Sequence, residues 1–145
     1  MPRFALIVLV PLLVLAGCGD DGVSREDYIA DADALCERLN EQIEDVNQPR
    51  PTNLGELREL LDDAIEVTRE GIAELEELDP PEEVDDDVDD FLDSARDQEQ
   101  LLENARDAGS FEEGGQILRE RLPPVAEARR DAAEEIGFEE CGRGS

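Results

Sequence analysis

Lysine, histidine and tryptophan do not occur in this chain of 145 residues, and tyrosine occurs once. Without histidine there is no imidazole to serve as general base or metal ligand near neutral pH. The 13 basic residues are all arginine and face 41 Asp and Glu, a net charge of −28. Phosphate backbones are held by clustered Lys and Arg, so this balance excludes nucleic acid as a partner. Any catalysis would rest on carboxylates alone. Neighbouring ones such as Glu76 and Glu77 diverge on a helix and have no aromatic platform for a sugar beside them. We therefore expect no catalytic residues, no cofactor and no enzyme activity.

Long apolar runs are scarce too. The one present, Phe4 to Ala16, is interrupted by Pro11 and would extend about 20 Å as a helix, short of the roughly 30 Å hydrocarbon core of a bilayer. Arg3 precedes it, and it ends in Leu15-Ala16-Gly17-Cys18. That tetrad resembles the lipobox of bacterial lipoproteins, where an aliphatic residue, two small residues and a cysteine mark the cut. The resemblance implies that the Cys18 thiol carries a diacylglyceryl group, that cleavage follows Gly17, and that the protein is lipid-anchored on the extracytoplasmic face of the cell membrane. The alternative is an ordinary secretory signal, which would be removed without leaving a lipid. The expected organisation is a signal peptide over 1–17, a polar tether over 18–23, an acidic helical domain over 24–141 and a disordered tail over 142–145. Losing residues 1–17 removes Arg3 and no acid, so the exported part is more acidic still.

Aromatic residues make up only 3% of the chain, which brings it near the composition of disordered proteins. Periodicity argues for a fold. Tyr28, Ala32, Leu35, Leu39, Ile43 and Val46 recur at steps of three and four behind Ser24, a good N-cap. This first helix should span about Ser24 to Asn47 and stop before Pro49 and Pro51. A second, about Thr52 to Leu78, carries Leu57, Leu61, Ala64, Thr68, Ile72, Leu75 and Leu78 and is closed by Asp79-Pro80-Pro81. A third, about Glu82 to Ala108, carries Val84, Val88, Phe91, Ala95, Leu102 and Ala105, with Gly109 expected in the left-handed position after its end. A fourth begins behind Ser110 and places Phe111, Ile117, Leu118, Leu122, Val125, Ala128, Ala132 and Ile136 roughly on one face. Gly114-Gly115 and Pro123-Pro124 interrupt it, so a kinked or broken helix is expected, with Gly137 at its end. Short connections favour antiparallel neighbours, and the fold class is all-α, an up-and-down four-helix bundle.

With Cys18 lipidated, Cys36 and Cys141 remain. In an oxidising exterior they pair with each other. The other readings are two free thiols or a metal site, although two sulfurs without histidine fall short of a zinc tetrahedron. In the chain-entropy model a disulfide closing about 100 residues contributes about 4.7 kcal/mol, large against the roughly 5 to 15 kcal/mol of a typical domain. In this topology the start of the first helix and the end of the fourth share one end of the bundle. Cys36 lies about 18 Å up from Ser24, so the tail after Gly137 must fold back, or the fourth helix end higher, to bring the two Cα atoms within about 7 Å. Phe138 would then lie as an apolar lid beside Tyr28 or Leu39.

The acidic run Asp79 to Asp90 offers hard oxygen ligands for calcium or magnesium, but it lacks the glycine and ligand spacing of an EF-hand. A solvated helix start, its acids at the positive end of the helix dipole, is the simpler reading. No metal site is expected there.

The lipobox, the Tyr28, Ala32, Asp33 and Cys36 spacing, and the closing Ile136-Gly137-Phe138-Glu139-Glu140-Cys141 make the chain similar to small exported helical lipoproteins of high-GC Gram-positive bacteria. That group carries no assigned activity, so the resemblance implies a location and not a chemistry. Two functions fit. One is an acidic structural or interaction module that meets a cationic protein or envelope partner. The alternative is a module that binds divalent cations weakly, or a small ligand between its helices. The second needs polar groups converging inside the apolar stripes, and these stripes show almost none, so the first leads.

Overall fold

The computed structural model describes residues 22–48 and 50–143. Four helices follow one another: α1 (Arg25–Val46), α2 (Leu54–Glu76), α3 (Asp85–Arg106) and α4 (Phe111–Ile136). Three of the four starts are capped by side chains that the local sequence supplies. The hydroxyl of Ser24 accepts from the Asp27 N–H at 3.1 Å, the Asn53 carbonyl oxygen from the Glu56 N–H at 3.1 Å, and the Ser110 hydroxyl from the Glu113 N–H at 3.1 Å. Glu56 and Glu113 accept in turn from the N–H groups of Thr52 and Gly109, the residues just before the caps Asn53 and Ser110, at 2.7 and 2.8 Å, a variant of the capping box. α3 has no capping side chain. It opens instead on Asp85, Asp86 and Asp87, whose charges suit the helix dipole.

One helix end departs from expectation. Gly109 is not left-handed, because Gly137 is the one positive-φ residue among those described. The end of α3 is satisfied from outside: the Arg58 guanidinium on α2 donates to the Arg106 and Ala108 carbonyls at 3.1 and 3.0 Å. At Pro123-Pro124 the helix does not divide, and α4 is a single element with both prolines inside it. The carbonyls one turn earlier, on Arg119 and Glu120, lose their N–H donors there. Gly114 has a packing reason. A Cβ at that position would lie 2.9 Å from both the Ala105 carbonyl oxygen and Leu57 Cδ2, so its absence lets α4 start close against α3.

Inter-helix pairs give the topology. Arg38 on α1 bonds Glu74 on α2; Arg69 on α2 bonds Glu99 at 2.6 Å and Glu103 at 3.2 Å on α3, whereas Glu76, further along α2, bonds Arg96, earlier on α3, so partners run in opposite order along the two helices. The helices therefore run up and down, with α2 on α1, α3 on α2 and α4 on α3. α1 and α4 are joined less by helix contact than by the chain beyond α4. Gly137, at φ 97°, turns that chain back, and the Gly137 and Phe138 N–H groups both donate to the Ala133 carbonyl.

The returning segment is held along its length. Arg25 donates to the Ile136 carbonyl at 2.8 Å, and Asn40 Nδ2 to the Glu140 carbonyl at 3.0 Å. The Asp33 carboxylate accepts from three successive N–H groups, Glu139 at 3.0 Å, Glu140 at 2.8 Å and Cys141 at 3.3 Å. Cys36 and Cys141 form a disulfide with Cα atoms 4.9 Å apart. Phe138 is buried against Tyr28, as expected, and also edge-on against Phe91, with ring centroids 6.0 and 5.5 Å apart. Gly142 and Arg143 continue the turn.

The core lies in two parts. One, at the disulfide end, gathers Tyr28, Leu35, Val88, Phe91, Ile136 and Phe138 among others. The second, at the far end, is built on Leu57, Leu61, Ile65, Leu102 and Ala105.

Candidate functional site

Between the two parts the inward stripes of the helices turn polar. On α4 the buried positions Ala126, Ala133 and Ile136 share their spacing of three and four with Arg129, which therefore lies on the inner face, itself partly exposed. On α3 the same spacing places Gln98 between Ala95 and Leu102. α2 contributes Thr68 and α1 contributes Asn40. These four side chains line one cleft with Leu39, Ile43, Val67 and Ile72, about 90 Å3 in volume and bounded at one side by the disulfide.

This layer shows where the sequence reading of α4 was out of phase. Ala128, assigned to the inner face, is exposed. A stripe continued through Pro123-Pro124 from Leu122 reaches Ala128, whereas Ile136 and Ala133 set the phase of the second half. Reading backward from Ile136 at steps of three and four reaches Arg129, and that was the signal available. The gap in the α3 stripe between Ala95 and Leu102 was the matching one.

The polar groups of the layer are not equally satisfied. The Thr68 hydroxyl donates to the Ala64 carbonyl at 2.8 Å, and Asn40 holds the C-terminal turn. Arg129 Nε and Nη2 and Gln98 Oε1 are sealed from solvent with no hydrogen-bond partner among the described residues. Burial lowers the Arg129 pKa from its ordinary value, and the neighbouring charge of Arg130 acts in the same direction. The contrast with other arginines is sharp: Arg38, Arg69, Arg96, Arg106 and Arg143 each bond at least one carboxylate. Although 41 of the 145 residues are acidic, no Asp or Glu lines this cleft. Its chemistry is that of an apolar slot with one uncompensated cation. Such a slot attracts an anion and repels a metal ion.

Of the residues singled out in the sequence, Cys18 lies outside the described residues. Cys36 and Cys141 are brought together. The acids of Asp79 to Asp90 are spread over a connector, a turn and the first turns of α3, and no three Cys, Asp or Glu side chains converge on a possible ion position among the described residues. Glu76 bonds Arg96. No helix among the described residues is long and apolar enough to cross a membrane. Compared with known proteins, the chain matches no family model, no curated protein and no solved structure.

Proposed function

We propose that this protein is a lipid-anchored extracytoplasmic binding module that holds a small ligand between the helices of its bundle. The observation that supports the reading is the sealed, unpartnered Nε and Nη2 of Arg129 in a cleft without acids. An unpaired buried charge costs stability, and a polar layer that served only to set helix register would pair its members with one another. Here the guanidinium and the Gln98 amide do not meet. Convergent polar groups in an apolar cleft are the mark of a ligand site, and they favour ligand binding over a purely structural or interaction role. The anchor part of the proposal rests on the lipobox resemblance.

The test is saturable binding of a linear fluorescent chain, cis-parinaric acid or its methyl ester, to the oxidised protein. One-to-one binding of either probe, weakened by the cleft-filling substitutions Ala95→Leu and Val67→Phe with helicity retained, supports the reading. Absence of saturable binding by both probes overturns it.

A further inference from the structure

We propose that the ligand is a monoanionic aliphatic carboxylate, its head on the Nε and Nη2 edge of Arg129 and its chain along the apolar wall of the cleft. This rests on the binding-module reading and adds the chemical class.

The edge is the first argument. Nε and Nη2 are the two nitrogens whose N–H bonds run parallel on one side of the guanidinium, the side that takes two oxygens of one planar acid in a fork. These are the nitrogens without partners, while Nη1 is not among the sealed, unpartnered atoms. Charge is the second. The chain has no lysine or histidine, and Arg130, next along α4, is exposed. One cation neutralises one negative charge, so a carboxylate is matched, whereas a phosphate dianion would leave excess charge buried in a protein of net charge −28. Size is the third. A cleft of about 90 Å3, about three times the roughly 30 Å3 share of one water, takes a head group and the first carbons of a chain, whose remainder lies outside it. It suits a narrow chain, and Leu39, Ile43, Val67 and Ile72 give that chain an apolar path. Gln98 lies on the same cleft, and only its amide NH2 can donate to the head group, since the unpartnered Oε1 is an acceptor. Because the guanidinium edge is closed to water, entry of the head group requires side chains around Arg129 to shift by a rotamer. The charge-assisted bonds formed offset that shift.

The test compares head groups on one chain below micelle-forming concentrations. cis-Parinaric acid should bind the oxidised protein roughly tenfold or more tightly than its methyl ester, the size of effect that hydrogen bonds to a charged group produce. Laurate should displace it, and dodecanol and dodecylamine should do so poorly. Arg129→Met should bring the acid down to the affinity of the ester, and Arg129→Lys should keep part of the preference. Arg129→Gln serves as a second variant if the Met form misfolds. Equal binding of acid and ester by the unaltered protein would overturn the carboxylate assignment while leaving the binding-module reading intact. Displacement by dodecyl phosphate tighter than by laurate would overturn it in favour of a phosphate head. Failure of every probe to bind saturably would remove both readings.

Discussion

At the scale of single residues, three side chains among the described residues carry polar atoms sealed from solvent without partners, Tyr28, Gln98 and Arg129, and the first and last make different predictions. Arg129 is a cation in a slot with no counter-charge, so Arg129→Met should stabilise the free protein by about 1 to 2 kcal/mol, read as a higher urea midpoint at unchanged slope. A loss of stability in that variant would mean that the guanidinium is already satisfied. Tyr28 is 2% exposed, and its hydroxyl also lacks a partner. Burial, and secondarily the charge of Asp85, push its pKa up to about 12 from 10.0. In the unfolded chain the phenol ionises near pH 10, while in the folded chain it stays protonated to about pH 12. Between those values the folded state binds the extra proton, so its stability declines as pH rises through that window and is fully present below it. Unfolding midpoints at pH 9 and pH 11 should differ, and Tyr28→Phe should shrink the difference while leaving stability at pH 7 equal or slightly higher. A pH dependence unchanged in Tyr28→Phe would assign it to other groups.

At the scale of elements, the last segment of chain acts as the strap that closes the gap between α1 and α4. The disulfide is one fastening and Asp33 is another, and they hold neighbouring residues. Cys141→Ser should lower stability by about 2 to 5 kcal/mol. Asp33→Ala removes an acceptor of three N–H groups and should cost about 2 to 3 kcal/mol. It should also end the slow hydrogen exchange of the Glu139, Glu140 and Cys141 amides. Because both changes free the same turn, their effects should be less than additive in a double-mutant cycle. Strict additivity would show the two fastenings to be independent. The segment also carries Phe138 into the core between Tyr28 and Phe91. Releasing it therefore unpacks the end of the bundle rather than a loose tail, and with Cys141 lining the cleft it should weaken probe binding as well.

At the scale of the whole molecule, the charge is opposed by few and weak pairs. The bridges of Arg38, Arg69 and Arg96 lie on side chains that are exposed apart from the half-buried Glu99, and a surface pair contributes about 0 to 1 kcal/mol. Self-repulsion dominates, so moderate salt, screening at about 8 to 10 Å, should raise the melting temperature. A melting temperature that falls with salt would show the bridges to outweigh the repulsion. The same field opposes an approaching anion, so salt should tighten binding of the parinarate anion more than that of its ester. Membrane attachment is separate from all of this. If Cys18 carries lipid, the native protein should partition into detergent and Cys18→Ser should release it or leave it unprocessed. Mass spectrometry showing an unmodified Cys18 in the mature N-terminal peptide would refute the anchor.

Four helices, their order and most of their ends follow from local chemistry: Ser24 and Ser110 as caps, apolar residues every third or fourth position, and Gly137 as a stop. These are set within a turn or two of chain, so they are legible without knowing the fold. The Cys36–Cys141 disulfide is the pairing expected once the lipobox resemblance sets Cys18 aside. The polar layer does not follow in this way. Each of Asn40, Thr68, Gln98 and Arg129 is unremarkable within its own helix, where one polar residue in a stripe reads as a gap. Only packing brings the four to one level, and only packing determines that Arg129 meets neither Gln98 nor any acid. The role of Asp33 is likewise invisible in the chain, since its three partners lie more than a hundred residues away. Local sequence determines which residues face inward, whereas the relative heights of the helices, which decide what those residues meet, depend on contacts between distant parts of the chain.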